Sequence, residues 1–180
     1  MIPVLETQRL LLRDFRESDF PAFADFFASD RSSFYTGPCD RPTAWRKFAV
    51  YPGHWALKGF GPWALEEKET GVFVGLSGLW NPEGWPEPEI TWALMNGATG
   101  KGYASEAADR ARRYAFETMG WTRIISCIAP ENAASIRVAT RLGAVCEGDV
   151  AFPYGTARLY RHRAPDDDAE ESSAKAGTHR

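Results

Sequence analysis

Gly97-Ala98-Thr99-Gly100-Lys101-Gly102-Tyr103-Ala104-Ser105-Glu106-Ala107 decides how the rest of the chain is read. Glycines 97, 100 and 102 run directly into a helix whose first turn is small and polar. Amide N–H groups at a helix start lack intrahelical partners, and the positive end of the macrodipole lies behind them. A phosphate there is favoured by up to ~2 kcal/mol before any side chain contributes. Glycine also lets the backbone curl into a concave nest and removes the Cβ that would hold a diphosphate away. Two nucleotide motifs fail on spacing. The pattern G-x-G-x-x-G started at Gly100 needs glycine where Ser105 stands, and G-x-x-x-x-G-K-[ST] started at Gly97 meets Tyr103 where lysine is required. On this stretch alone a plain glycine turn between strand and helix remains an alternative.

Upstream, Glu89 to Met95 reads as the strand that delivers the chain into the loop. Downstream, Ala104, Ala107, Ala108, Ala111, Tyr114, Ala115 and Met119 form one stripe of a helix, small enough to lie close to a sheet. Gly120 stops that helix. The cluster Arg110-Ala111-Arg112-Arg113 reads as a solvated helix face. A buried strand at Thr122 to Ala129 completes strand, loop, helix, strand, a right-handed crossover if the strands are parallel. Asn132 then caps a helix from Ala133 to Leu142, stopped by Gly143, and strands at Ala144 to Val150 and Thr156 to His162 follow.

In the first half, Thr7 to Phe15 is a strand, and Ser18 or Asp19 caps a short helix carrying Phe20, Phe23, Ala24 and Phe27 to about Ser29. The stretch from 30 to 60 is broken by Gly37-Pro38, Arg41-Pro42, Pro52-Gly53 and Gly59. It predicts a helix from Thr43 to Val50 with Trp45, Phe48 and Ala49 inward. Phe34, Tyr35, Trp45, Tyr51, Trp55 and Phe60 either line an acceptor cleft or cover one face of the sheet. Gly61 to Glu69 and Val72 to Trp80 are strands joined at Thr70-Gly71, and glycines 75 and 78 mark close approach or a bulge.

A chain of 180 residues with 44% hydrophobic residues can bury one core. The expected organisation is one domain over residues 1–163 and a disordered tail over 164–180, where the polar composition cannot bury enough surface to order itself. A net charge of −3 argues against a nucleic-acid partner. Cys39, Cys127 and Cys146 have no C-x-x-C spacing and the three histidines are isolated, so neither a disulfide framework nor a metal site is expected. The odd cysteine count fits a reducing, cytoplasmic setting, and without a long apolar run or a signal-peptide pattern neither a membrane span nor a signal peptide is expected.

Three stretches resemble the GNAT superfamily of acetyl-CoA-dependent N-acetyltransferases, in its RimJ/RimL-like branch. Thr7-Gln8-Arg9-Leu10-Leu11-Leu12-Arg13 is similar to that branch's first strand, T-x-R-L-x-L-R. The glycine loop is similar to its pyrophosphate loop, with Gly97 where Arg or Gln is usual. Asn132-Ala133-Ala134-Ser135-Ile136-Arg137-Val138 with Leu142-Gly143 is similar to N-x-x-S-x-x-V followed by L-G. The resemblance covers residues 5–162. It implies a twisted, mostly antiparallel α/β sheet with one splayed parallel strand pair and flanking helices, and an acetyl group moved from acetyl-CoA to a primary amine.

Carried over residue by residue, it places the cofactor against Trp92, Ala93 and Leu94, the loop residues Gly97, Thr99, Gly100, Lys101, Gly102, Tyr103, Ala104 and Ser105, and Asn132. Where many members carry a tyrosine that protonates the leaving thiolate, this chain has Ala139, and Ser135 is the candidate for that role. Glu89 is the candidate general base. Each has a plainer alternative: Glu89 as an exposed strand-edge carboxylate, Ser135 as a helix first-turn residue, Asn132 as an N-cap. The acceptor is a small amine or a protein N-terminal α-amine, and the chain a monomer or homodimer. A non-catalytic acyl-CoA sensor or scaffold stays open, and the missing tyrosine slightly favours it.

Overall fold

Leu10 and Leu12 are fully buried, and the strand that carries them is an early member of one continuous sheet. The computed structural model describes residues 1–153 and 155–165; beyond Pro165 the expected tail lies outside the described residues. Among the described residues the strands are Leu5–Glu6 (β1), Leu10–Arg13 (β2), Pro62–Glu67 (β3), Phe73–Trp80 (β4), Glu89–Leu94 (β5), Ile124–Ile128 (β6), Val145–Phe152 (β7) and Gly155–His162 (β8). Their order across the sheet is β1-β2-β3-β4-β5-β6-β8-β7. Neighbours are antiparallel except β5 and β6, which are parallel. This is the mixed, mostly antiparallel sheet expected from the sequence.

Period-two alternation divides the core between the two faces. Trp63, Leu65, Ile90 and Trp92 face a cluster built on Ala104, Ala107, Ala108 and Ala111, the small-residue stripe of the helix Tyr103–Arg113 (α3 below). Ala64, Leu76 and Ala93 face a phenylalanine-rich cluster. That cluster is supplied by Phe20–Phe27 (α1) and Arg41–Lys58 (α2). Ala133–Arg141 (α4) joins α3 on its side through Ala139. Glycine at 78 is a packing requirement, since a Cβ there would come within 2.6 Å of Pro62 Cα.

Four expectations are corrected. Helix α2 does not end at Val50 but runs through Pro52 and Gly53 to Lys58. Asp40 caps its start by accepting from the Thr43 amide at 2.9 Å, and the buried Trp55 anchors its last turns by donating from Nε1 to Pro62 O at 2.8 Å. Tertiary contacts here override the local cost of proline and glycine. The inward residues of its first half are Ala44 and Phe48, while Trp45 and Ala49 are exposed.

The arginine cluster is not a uniformly solvated face. Arg112 is buried, donating to Leu142 O and Arg163 O at 3.2 Å and to Asp109 Oδ1 at 2.9 Å. The helix carrying it also changes period, passing at Tyr114–Thr118 into a π-helical turn before Gly120. Asp19 is no side-chain cap for α1. It is buried and binds both Arg13 Nη atoms at 2.8 Å.

Candidate active site

Strands β5 and β6 pair at one register point, Glu89 opposite Ile125, and diverge beyond it. Met95 N donates to Val74 O at 3.0 Å, and the β4–β5 register continues with Ala93 opposite Leu76 and Thr91 opposite Gly78. Amides of Ala93 and Thr91 therefore face β4, and those of Trp92 and Leu94 face the opening toward β6. The carbonyls on that side confirm the orientation. Ile90 O accepts from Ser126 Oγ at 2.6 Å, Trp92 O from Tyr35 Oη at 2.6 Å and Leu94 O from Arg31 Nη2 at 3.0 Å.

The opening continues into a groove of about 470 Å³. Thr99, Gly100, Gly102, Ala104 and Ser105 form one wall and Asn132, Ala134, Ser135 and Val138 the other. Gly100 and Gly102 lie at φ +81° and +84°. A left-handed residue costs other L-amino acids about 1–2 kcal/mol, so glycine here sets the curl that leads into α3. Arg31, Arg137 and Arg141 also line the groove, and among the described residues no carboxylate does. Cations, helix-start amides and unpaired strand amides fit an extended polyanionic thioester such as acetyl-CoA.

The groove adjoins a smaller pocket of about 50 Å³ that reaches Glu89. Tyr35, Trp92, Asn132 and Ser135 line both spaces. Asn132 Oδ1 accepts the Ser135 amide at 3.1 Å, so the N-cap fixes the first turn of α4 and the Ser135 side chain with it. Trp92 Nε1 donates to Ser135 Oγ at 3.2 Å. Glu89 is buried, not strand-edge and exposed. Burial pushes its carboxyl up to about 8, against a bond from Trp85 Nε1 and one from the Cys127 amide that favour the charged form. Burial also pushes the half-buried Cys127 thiol well above its usual range, with Glu89 and Glu87 adding to it.

The GNAT acetyltransferase domain model matches residues 9–145. The chain belongs to the GNAT acetyltransferase family. A solved acetyltransferase from Agrobacterium tumefaciens is 37% identical, with a TM-score of 0.84 over 91% of this chain and 95% of that one. An uncharacterized N-acetyltransferase of Bacillus subtilis, YoaA, is 27% identical over 152 residues, 82% of this chain and 86% of that protein. At the level of fold, the aminoglycoside acetyltransferase AAC(6')-Ib solved with coenzyme A aligns with a TM-score of 0.71 at 18% identity, over 86% of this chain and 94% of that one. GNAT acetyltransferases use acetyl-CoA and act on amine acceptors, and this chain is an enzyme of that kind.

In this GNAT acetyltransferase, Trp92, Leu94, Thr99, Gly100, Gly102, Ala104, Ser105, Asn132 and Ser135 come together on the groove. Ala93 points to the other core with its amide facing β4. Lys101 reaches Glu67 at 3.8 Å, and the buried Tyr103 ring also bonds Glu67 through its hydroxyl. Gly97 is a turn residue at φ +81° outside the groove lining. Of the aromatics, Phe34 and Tyr35 line the pocket, while Trp55 and Phe60 pack with the α3-side core and Tyr51 with the α1–α2 core.

Arg31, Arg137 and Arg141 carry no sequence motif of their own. The four-residue spacing of the latter two, two positions past Ser135, was the available signal. Glu87 pairs with Arg161 at 2.8 Å and Arg123 at 3.4 Å. Among the described residues no group of His, Cys, Asp and Glu is arranged to hold a metal, and no helix is long and apolar enough to cross a membrane.

Proposed function

We propose that the chain transfers an acetyl group from acetyl-CoA to a primary amine by direct attack within a ternary complex, as an enzyme of the RimJ/RimL-like branch. One observation carries this reading: the groove suited to the thioester and the pocket holding Glu89 share the wall that contains Ser135. An acetyl carbon at that junction lies within reach of an amine entering from the Glu89 side.

The free amides of Trp92 and Leu94 bind the pantetheine arm and the developing oxyanion; one such donor is typically worth ~3–4 kcal/mol. Glycine-loop amides with Thr99 and Ser105 take the diphosphate, and Asn132 holds the cofactor arm. Glu89 removes a proton from the acceptor ammonium through water. A carboxylate whose pKa is raised to about 8 is matched to an amine near neutral pH. Ser135 supplies the proton to the departing thiolate. The acceptor is a protein N-terminal α-amine or a small amine.

The test is a mass-spectrometric acceptor screen with acetyl-CoA over N-terminal peptides and small amines, scored for the mass of one added acetyl group. Cofactor binding without a product on any amine supports an acyl-CoA sensor instead.

A further inference from the structure

Ser135 is a weak acid alone, because a bare serine alkoxide is far less stable than a thiolate. The tyrosine that many relatives place on α4 is Ala139 here, fully buried and packed in the core. The structure brings another phenol to the same point from a different segment. Tyr35, the last residue of the 3-10 helix Asp30–Tyr35, lines both the cofactor groove and the Glu89 pocket. Its Oη donates to Trp92 O at 2.6 Å while the same tryptophan's Nε1 donates to Ser135 Oγ at 3.2 Å. Ser135 lines the same two spaces as the phenol. Trp92 thus bridges the phenol and the serine beside the transfer point, through its carbonyl on one side and its indole N–H on the other.

We infer that Tyr35 acts through Ser135 as the source of the proton delivered to the leaving thiolate. This rests on the acetyltransferase reading above. In the resting arrangement the phenolic O–H points to Trp92 O. During collapse of the tetrahedral intermediate the carbon–sulfur bond breaks and its electron pair stays on sulfur, which takes the Ser135 hydroxyl proton. Ser135 Oγ takes the Tyr35 proton as the phenolic O–H turns from Trp92 O toward it. The resulting phenolate is neutralised by the proton Glu89 removed from the acceptor ammonium, passed through water in the pocket both residues line, and the second nitrogen proton is lost to solvent water as the neutral amide forms. Sulfur ends as a thiol, and Tyr35, Ser135 and Glu89 return to their starting states. Burial raises the Tyr35 phenol to about 12, which keeps it protonated and makes its phenolate a transient that reclaims a proton readily.

Tyr35→Phe keeps the ring contact with Phe26, at 5.6 Å between centroids, so the variant is expected to fold. The probe amine is the acceptor with the highest turnover in the screen above. With acetyl-CoA, kcat should fall by ~10²-fold or more while acetyl-CoA affinity by calorimetry stays near wild type. The deciding measurement repeats the comparison with acetyl-seleno-CoA. A selenol ionises well below a thiol, so its anion leaves without a proton and the Tyr35→Phe defect should largely disappear. An equal defect with both thioester and selenoester, a kcat unchanged by the substitution, or a lost cofactor affinity each overturns the inference. No turnover by wild type on any amine overturns the acetyltransferase reading itself, and this inference with it.

Discussion

Arg9 Nη1 donates to the main-chain carbonyl of Lys101 at 2.8 Å, so the residue just ahead of strand β2 holds the glycine loop. The same guanidinium binds Glu106 in the first turn of α3, through Nε at 2.7 Å and Nη2 at 2.6 Å, and lies over the Tyr103 ring. Glu106 also accepts from Thr7 Oγ1 at 2.6 Å. The T-x-R-L stretch therefore acts on the loop as well as on the sheet. Arg9→Ala should weaken acetyl-CoA binding by ~10-fold, or about 1.4 kcal/mol. Because Arg9 is half exposed, stability should fall by no more than about 1 kcal/mol. Calorimetric titration beside denaturant unfolding separates the two effects. Lysine should restore only part, since it lacks the planar fork that reaches Lys101 O and Glu106 together. An unchanged affinity in the alanine variant removes the loop-holding role.

Gly102 adopts φ +84°, and a Cβ there would meet only Arg9 Nη2, at 3.4 Å. Alanine should fold with a stability loss of about 1–2 kcal/mol from the left-handed backbone and lose cofactor affinity beyond that of any nearby surface change. Valine, branched at Cβ, should abolish cofactor binding at a larger cost to folding, which makes alanine the cleaner variant. Binding by Gly102→Ala equal to wild type, measured on folded protein, contradicts the diphosphate site.

For Glu89 the sign follows from its raised pKa, about 8 against an ordinary 4.5. Between these values the folded protein holds a proton that the unfolded chain has lost. Stability therefore declines as pH rises through that window, and the penalty is complete above the folded pKa. Glu89→Gln carries no such charge, so its melting temperature relative to wild type should climb from pH 5 to pH 8. The same ionisation produces the base, so wild-type kcat/KM should rise with pH up to about 8 and the Gln variant should lose that limb along with ~10²-fold or more in rate. Matching pH–rate profiles for the two proteins eliminate the base role.

Ser135→Ala removes the hydroxyl but keeps the amide that Asn132 accepts, so α4 should keep its cap. A kcat loss of ~10²-fold or more with little change in acetyl-CoA affinity is expected. Steady-state kinetics paired with direct titration checks it, and an intact kcat leaves Ser135 with a local structural role only.

Sequence and structure agree most where one residue type had a single physical use. Glycines 100 and 102, Asn132 and the alanine stripe of α3 are readable because a left-handed loop, an N-cap and close helix–sheet packing each select a narrow set of residues. Tyr35, Arg31 and the full length of α2 were not readable in the same way. Their positions depend on contacts distant in sequence, such as Tyr35 with Trp92 and Trp55 with Pro62. Glu89 is legible as a residue of its strand, but its burial with Trp85 Nε1 bonded to it depends on how the proline-rich segment 81–88 ahead of β5 packs, which no local pattern encodes.

Buried charge also sets the stability of the α1 side. Arg13 and Asp19 are almost fully buried against each other, and Glu66 adds a third contact to Arg13 at 2.6 Å. Asp19→Ala should cost about 3–5 kcal/mol by leaving the guanidinium underpaired in the interior. Urea unfolding measures this directly, and a loss under about 1 kcal/mol contradicts the buried-pair account.

The central claim is that the Glu89 pocket and the thioester groove work as one site. Its most direct measurement is the acetylation of an amine panel by wild-type protein and by Glu89→Gln at one cofactor concentration shown by titration to saturate both. The account predicts the mass of one acetyl group on a particular class of amine with wild type, and ~10²-fold less product with Glu89→Gln at equal cofactor occupancy. Saturated wild-type protein that acetylates no amine, or a Glu89→Gln variant that matches wild type, contradicts it.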